Sequence, residues 1–148
     1  MSVNLPQYPQ WLINERNLST YYNSLLLSGQ APKVADLIKQ NPSSFSALVD
    51  LLNSKGSPLS TRMGIGVVME ELAGSRVLSQ HIDLLTPLTQ AKDARLRADA
   101  CYYLELSANP AALPSLQACL HDADPSVREV AADAITNLTP PATYPLQP

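Results

Sequence analysis

Apolar positions along this chain recur at helical spacing and seldom alternate. The stretch from Asp93 to Leu138, DARLRADACYYLELSANPAALPSLQACLHDADPSVREVAADAITNL, resembles itself: residues 93–104 align with residues 124–135 at an offset of 31. A period of that length predicts stacked two-helix units. The register extends upstream, where Thr61-Arg62, Leu96-Arg97 and Val127-Arg128 coincide. Ile65, Ala100 and Ala131 then fall together, as do Val68, Tyr103 and Ala134, and Met69, Leu104 and Ile135. An apolar seam recurs while the polar residues vary. One helical pair cannot bury its own apolar face, whereas stacked pairs share a continuous core. The small residues Gly66, Cys101 and Ala132 fit where helices of adjacent layers approach.

Taken in order, the pattern predicts about eight helices. Residues 1–10, with Pro6 and Pro9, are expected to be extended or loosely attached. Leu12, Ser19, Tyr22 and Leu26 share one stripe, with Tyr21 and Leu25 beside it. That helix should end before Gly29, a good C′ residue. Trp11 is expected to pack as a lid, because end units of repeat arrays need atypical caps. A second helix from Pro32 to Gln40 turns Val34, Leu37 and Ile38 inward. Asn41-Pro42 ends it, since the residue before proline avoids the α region. The third covers 42–53 with Phe45, Leu48, Leu51 and Leu52 as its stripe, closed by Lys55-Gly56.

Ser57 as N-cap and Pro58 at N1 open the fourth helix, which stops at Gly74. Gly64 and Gly66 each cost that helix about 1 kcal/mol against alanine, so another backbone is expected to approach closely there. The fifth, over 75–91, points Leu78, Ile82, Leu85 and Leu88 inward and kinks at Pro87. Asp93 caps the sixth, which runs to about Ser107, and Asn109-Pro110 makes a turn. The seventh, over 111–121, buries Leu113, Leu116 and Leu120. Asp124 caps the eighth with Pro125 at N1, and Val127, Ala131, Ala134, Ile135 and Leu138 face inward. The tail 139–148 carries four prolines and is expected to be extended or disordered. Residues 11–138 thus form the predicted domain.

Composition narrows the function. The 148 residues suffice for one domain with its own core. No apolar run of roughly 18 residues is present to span a bilayer, and the start MSVNLPQYPQW lacks a basic region followed by an apolar one. A cytoplasmic location is the expectation. The net charge of −3 gives no basic footprint for nucleic acid. Neither nucleic acid nor membrane is expected as a partner. Two cysteines are too few for a disulfide framework, and in a reducing compartment they read as buried thiols.

The pattern Val-Arg-x-x-Ala-Ala-x-Ala-Ile stands at Val127, Arg128, Ala131, Ala132, Ala134 and Ile135. Leu113, Pro114, Leu116 and Leu120, then Asp122, Asp124 and Pro125, precede it. Over 93–138 this resembles the HEAT repeat of the phycobilisome-lyase-like subgroup. The likeness weakens over 45–91 and fails before Ser43, where the first two helices are a divergent repeat or a cap. It implies that the arginine after the aliphatic residue pairs with an acid of a neighbouring layer, which makes Arg62, Arg97 and Arg128 a structural ladder. A fainter similarity, through Arg62-Met63-Gly64 and residues 67–72, is to the HEAT segment attached to some bacterial thioredoxin-like proteins. No Cys-x-x-Cys occurs, so any redox chemistry would belong to a partner.

Reactive chemistry finds little support. His81, Cys101, Cys119 and His121 are the candidate metal ligands, but no His-x-x-x-His or Cys-x-x-Cys pair exists. Cys119 and His121, two apart on a helix, point about 200° apart. The HEAT-repeat deoxyhypusine hydroxylases use His-Glu pairs for iron, and no His-Glu dipeptide occurs here. HEAT-like DNA glycosylases need a basic concave face. The cysteines lie in apolar seams that favour the neutral thiol. No metal, cofactor or catalytic residue is therefore assigned.

The resemblance implies that the second helix of each pair lines the concave side. Opposite the buried stripe stand Met63, Val67 and Glu70, then Ala98, Tyr102 and Glu105, then Glu129, Asp133 and Thr136. Solvated faces normally avoid Met, Val and Tyr. An apolar patch with a polar rim is a recognition signature. The competing reading folds Val67 and Tyr102 under a neighbouring element such as the Pro-rich tail. The expectation is an all-α, short right-handed α-solenoid of HEAT-like pairs. It would act as a scaffold or adaptor, holding a protein or peptide partner through Met63, Val67, Glu70, Tyr102, Glu105, Glu129 and Asp133. The alternative is an accessory subunit of a bacterial redox (thioredoxin-like) or lyase-type enzyme, on family analogy alone.

Overall fold

A computed structural model of the chain describes residues 15–139, and among these every regular element is helical. The expectations for residues 1–10, for Trp11 and Leu12 and for the tail from residue 140 lie outside the described residues. Helix α1 (Glu15–Leu27) buries Leu18, Tyr22, Leu25 and Leu26. It ends through Gly29 at φ +78°, where the Gly29 N–H donates to Leu26 O at 3.1 Å and the Gln30 N–H to Leu25 O at 2.8 Å. A left-handed residue is needed to close the last carbonyls this way, and glycine takes it without a Cβ clash. Helix α2 (Ala31–Gln40) buries Val34, Ala35, Leu37 and Ile38. A 3-10 turn (Pro42–Ser44) leads into α3 (Phe45–Leu52).

Three hydroxyls in this end of the core find acceptors, as burial requires. The fully buried Tyr22 donates its hydroxyl to Ser44 Oγ at 2.9 Å, and Ser44 passes its own to Asn41 O at 2.7 Å. Ser19 can sit in the apolar stripe because its hydroxyl donates to Ala47 O at 3.0 Å.

Helix α4 (Leu59–Glu71) starts one residue later than its sequence suggests. Pro58 is the N-cap, and Ser57 turns its hydroxyl back to Leu51 O at 3.2 Å instead of capping. The two glycines of α4 differ. A Cβ on Gly64 would lie 3.1 Å from both Cβ and Cδ2 of Leu26 on α1. The close neighbour is a side chain, not another backbone. At Gly66 the nearest atom is the Tyr103 hydroxyl at 3.6 Å, an ordinary contact, so no close approach explains that glycine.

The predicted fifth helix is broken into α5 (Arg76–Gln80), α6 (Ile82–Leu85) and a 3-10 turn (Thr86–Gln90). The break falls at His81, ahead of Pro87. His81 Nδ1 donates to Val77 O at 2.7 Å, the acceptor its own backbone N–H would use in an unbroken helix, and that N–H goes to Leu78 O instead. The side chain thus competes with the helix ladder. The ring also packs 5.8 Å from that of Phe45 on α3.

Helix α7 (Ala94–Leu106) is capped by Asp93, whose Oδ1 accepts from the Arg95 N–H at 3.0 Å. Helix α9 (Pro125–Leu138) is capped in the same way by Asp124 through Ser126 at 2.7 Å. Between them a 3-10 turn (Pro110–Ala112) and α8 (Leu113–Cys119) replace one longer helix. Because the helix stops at Cys119, Leu120 turns outward and is 38% exposed. Leu113 is half-buried, and Cys119 joins Leu116 in the core.

The layers stack as the periodicity requires. Ile65, Ala100 and Ala131 are fully buried, with Val68, Met69, Leu104 and Ala134 equally so and Tyr103 nearly so. Ile135 and Leu138, near the end of α9, are half-buried, and Ala132 faces water, leaving Cys101 as the buried small residue of its set. Helix α1 packs on α3 and α4, α2 on α4, α7 on α9, and α8 on α9. The Gly74 N–H donates to Leu106 O at 2.9 Å and Asn109 Nδ2 to Ser79 O at 2.9 Å, tying the middle pair together. The result is an all-α, HEAT-like solenoid.

Candidate interaction surface

Helix α7 lies between α4 and α9, and its outward side chains bridge to both. The Tyr102 hydroxyl donates to Glu70 Oε2 on α4 at 2.7 Å. Asn137 Nδ2 on α9 donates to Glu105 Oε2 on α7 at 2.7 Å. Between α7 and α9 runs a groove of about 450 Å³ lined by Ala98, Asp99, Tyr102, Glu105, Val130, Asp133, Thr136 and Asn137. Tyr102, Glu105 and Asp133 from the predicted set therefore meet in one place, with Glu70 at the edge through its bond to Tyr102.

The remaining predicted residues stand elsewhere. Met63 and Val67 are 64% and 43% exposed on α4, beyond Tyr102 from the groove. With Leu59, 58% exposed, they form a stripe at four-residue spacing. Leu59 was legible by counting back four from Met63. Glu129 is exposed on α9 and does not line the groove. Val130 and Asn137 carried weaker signals: Val130 is the one large aliphatic on the outer side of α9, and Asn137 follows Asp133 by four.

The electrostatics of the groove are acidic. Its lining includes Asp99, Glu105 and Asp133 and no cation. The hydrogen bond to Glu70 raises the Tyr102 phenol to about 12, with partial burial and the nearby carboxylates adding to it. Burial raises the Asp99 carboxyl above the usual carboxylate range, against the pull of Arg95 and Arg62. Tyr103, inside the core, is raised chiefly by burial.

The ladder arginines are held in related but unequal ways. Arg97 donates Nε to Asp122 Oδ2 at 2.8 Å and Nη2 to Oδ1 at 2.9 Å, joining α7 to the loop before α9. Its Nη1 donates to the carbonyls of Ala91 and Lys92, each at 2.9 Å. Arg128 uses Nη1 on the carbonyls of Asp122 at 2.7 Å and Ala123 at 3.3 Å. Arg62 donates Nη1 to Ser57 O at 3.0 Å. In each case the guanidinium pins the loop that leads into its own helix. Among the described residues Arg97 alone of the three hydrogen-bonds an acid in the next layer.

Both thiols are buried and free. Burial first, then the nearness of Cys119, pushes the Cys101 thiol well above its ordinary value, which suppresses the nucleophilic thiolate. Cys119 faces the core while His121 is exposed, so the two diverge. Among the described residues no group of three His, Cys, Asp or Glu side chains is placed to hold a metal ion, and no helix is long and apolar enough to cross a membrane.

Residues 66–136 match the family model for HEAT repeats, a span from the middle of α4 to near the end of α9. That span is HEAT-like in fold as well as in sequence. HEAT repeats commonly mediate protein–protein interaction and are generally non-catalytic. No curated protein matches the sequence.

Proposed function

We propose that this chain is a scaffold or adaptor module that holds a protein or peptide partner across the outer faces of α4, α7 and α9. The observation that carries the reading is a continuous surface of two characters. The α7/α9 groove offers carboxylates and an aromatic ring, and the adjoining α4 stripe offers Leu59, Met63 and Val67 to solvent. A partner segment with basic side chains over the groove and apolar ones over α4 would satisfy both. Buried carboxylate contacts would set specificity and the apolar stripe most of the affinity.

The test is capture of partners by the full chain, immobilised, against Val67→Asp and Tyr102→Ala. These residues are partly exposed, so folding should survive, which circular dichroism checks. Loss of the same captured species in both variants supports the surface, and unchanged capture removes it from consideration. The accessory-subunit reading is a special case. Because the chain's own thiols are buried, redox or lyase chemistry would come from the captured protein, and its identity decides that point.

A further inference from the structure

The three layer arginines differ in one atom. Arg97 Nε donates to Asp122, whereas Arg62 Nε, shut away from water, has no acceptor. The register that aligns Arg97 with Arg128 also aligns Asp122 with Ala91, and both residues precede a two-residue bend into a helix. By that register the second-layer loop carries a methyl group where the third-layer loop carries a carboxylate. Among the described residues the Arg97–Asp122 pair is the salt bridge formed, so no acid pairs directly with Arg62, although Asp99 stands within its electrostatic reach.

A cavity of about 420 Å³ lies between the loop joining α3 to α4 and the loop entering α7, and Arg62 and Ala91 both line it. Lys55, Lys92 and Arg95 stand around it with Asp93 and Asp99. Four cations face two carboxylates, in a chain whose net charge is −3. Asp93 is engaged in capping α7. Burial disfavours the charged form of Asp99. Leu52 and Leu96 add an apolar wall.

We infer that this cleft between α4 and α7 binds a phosphate monoester, whose oxygens pair with the part of Arg62 that lines the cleft and with the cations around it. A monoester carries about −1.5 to −2 charge at neutral pH and three strong acceptor oxygens. That matches the surplus of two positive charges better than a single carboxylate does. Guanidinium and phosphate pair with shared geometry, and the pairing is stronger where water is excluded. The apolar wall takes the carbon skeleton. The ester is carried by a small metabolite or by a phosphorylated side chain of a protein. The cleft shares Asp99 with the acidic groove, but Arg62, Lys55, Lys92 and Arg95 line the cleft and not the groove, so phosphate binding is tested separately from the proposed partner surface.

The test uses the full chain with inorganic phosphate as probe, in thermal-shift and calorimetric titrations at matched ionic strength against chloride and acetate. Three variants accompany it: Arg62→Gln, Ala91→Asp, which supplies the missing carboxylate, and Gln117→Glu on the exposed face of α8 as a charge control. Phosphate is expected to stabilise the native chain and the charge control more than chloride or acetate does. Affinity should fall at least tenfold in Arg62→Gln and in Ala91→Asp, and the latter should melt higher than the native chain without ligand. Since Ala91→Asp completes a pair, it keeps the test decisive even where Arg62→Gln folds poorly. A native response no greater than that to chloride, or an undiminished phosphate response in Ala91→Asp, overturns the inference. Glucose 6-phosphate and a phosphoserine peptide, titrated in parallel, tell the two sources apart by which binds more tightly.

Discussion

The contact between α1 and α4 can be tested with two glycines two residues apart. Gly64 and Gly66 both lie inside α4, so each carries the same handicap of about 1 kcal/mol against alanine. Their surroundings differ. A Cβ at Gly66 meets only the Tyr103 hydroxyl at 3.6 Å, so Gly66→Ala should recover most of that handicap. At Gly64 the new methyl would come within 3.1 Å of Leu26 Cβ and Cδ2. The Cδ2 atom can rotate away, but Cβ is fixed to the α1 backbone. One turn earlier Thr61 donates its hydroxyl to Asn23 Oδ1 at 2.7 Å, which pins the same two helices. Relief therefore requires the helices to part, an overpacking cost of about 1–3 kcal/mol. Set against the propensity gain, Gly64→Ala should be neutral to about 2 kcal/mol destabilising, while Gly66→Ala gains up to about 1 kcal/mol. For a chain of this size each kcal/mol moves Tm by about 2–4 °C. Urea and thermal unfolding followed by far-UV circular dichroism measure both. Equal stabilisation by the two substitutions would falsify the tight α1–α4 packing and, with it, the attachment of the N-terminal helices to the HEAT-like array.

Other outcomes follow from single features. Ala108 sits at φ +54°, a conformation that costs a non-glycine residue about 1–2 kcal/mol. Ala108→Gly should therefore raise Tm even after the extra unfolded-state entropy of about 0.4–1 kcal/mol, and a lower Tm would show that the strain is absent. The Tyr102 phenol should titrate near 12 by ultraviolet absorbance, and Glu70→Gln should bring it back toward its ordinary value. Because that folded value lies above the unfolded one of about 10, the contribution is present below pH 10 and fades as pH rises toward 12. Asp122 runs the other way. The hydrogen bond from Arg97 and the Asp124 N–H hold its carboxyl below the usual range, so its contribution is present above about pH 4 and is lost as acid protonates it. Melting scans at falling pH should show a steeper loss for the native chain than for Asp122→Asn, and parallel curves would refute the assignment.

The chain itself determined the repeat. Residues 61–69, 96–104 and 127–135 carry the same apolar register, and a helix turns a fixed sequence spacing into a fixed face, so Ile65, Ala100 and Ala131 had to be buried together. Asp93 and Asp124 were legible as caps for the same reason: capping is a bond between residues two or three apart. Tertiary structure decided what depends on residues far apart in sequence. His81 breaks its helix beside Phe45, and Leu120 turns out because α8 stops early. Tyr102 and Glu105 were visible as outward-facing side chains, but their joining to Glu70 and Asn137 into a bridged surface required knowing how α4, α7 and α9 lie against one another. The arginine ladder shows the division most sharply. Its three positions follow from periodicity, yet which of them finds a carboxylate depends on the loop that the next layer brings across, and no local pattern encodes that meeting.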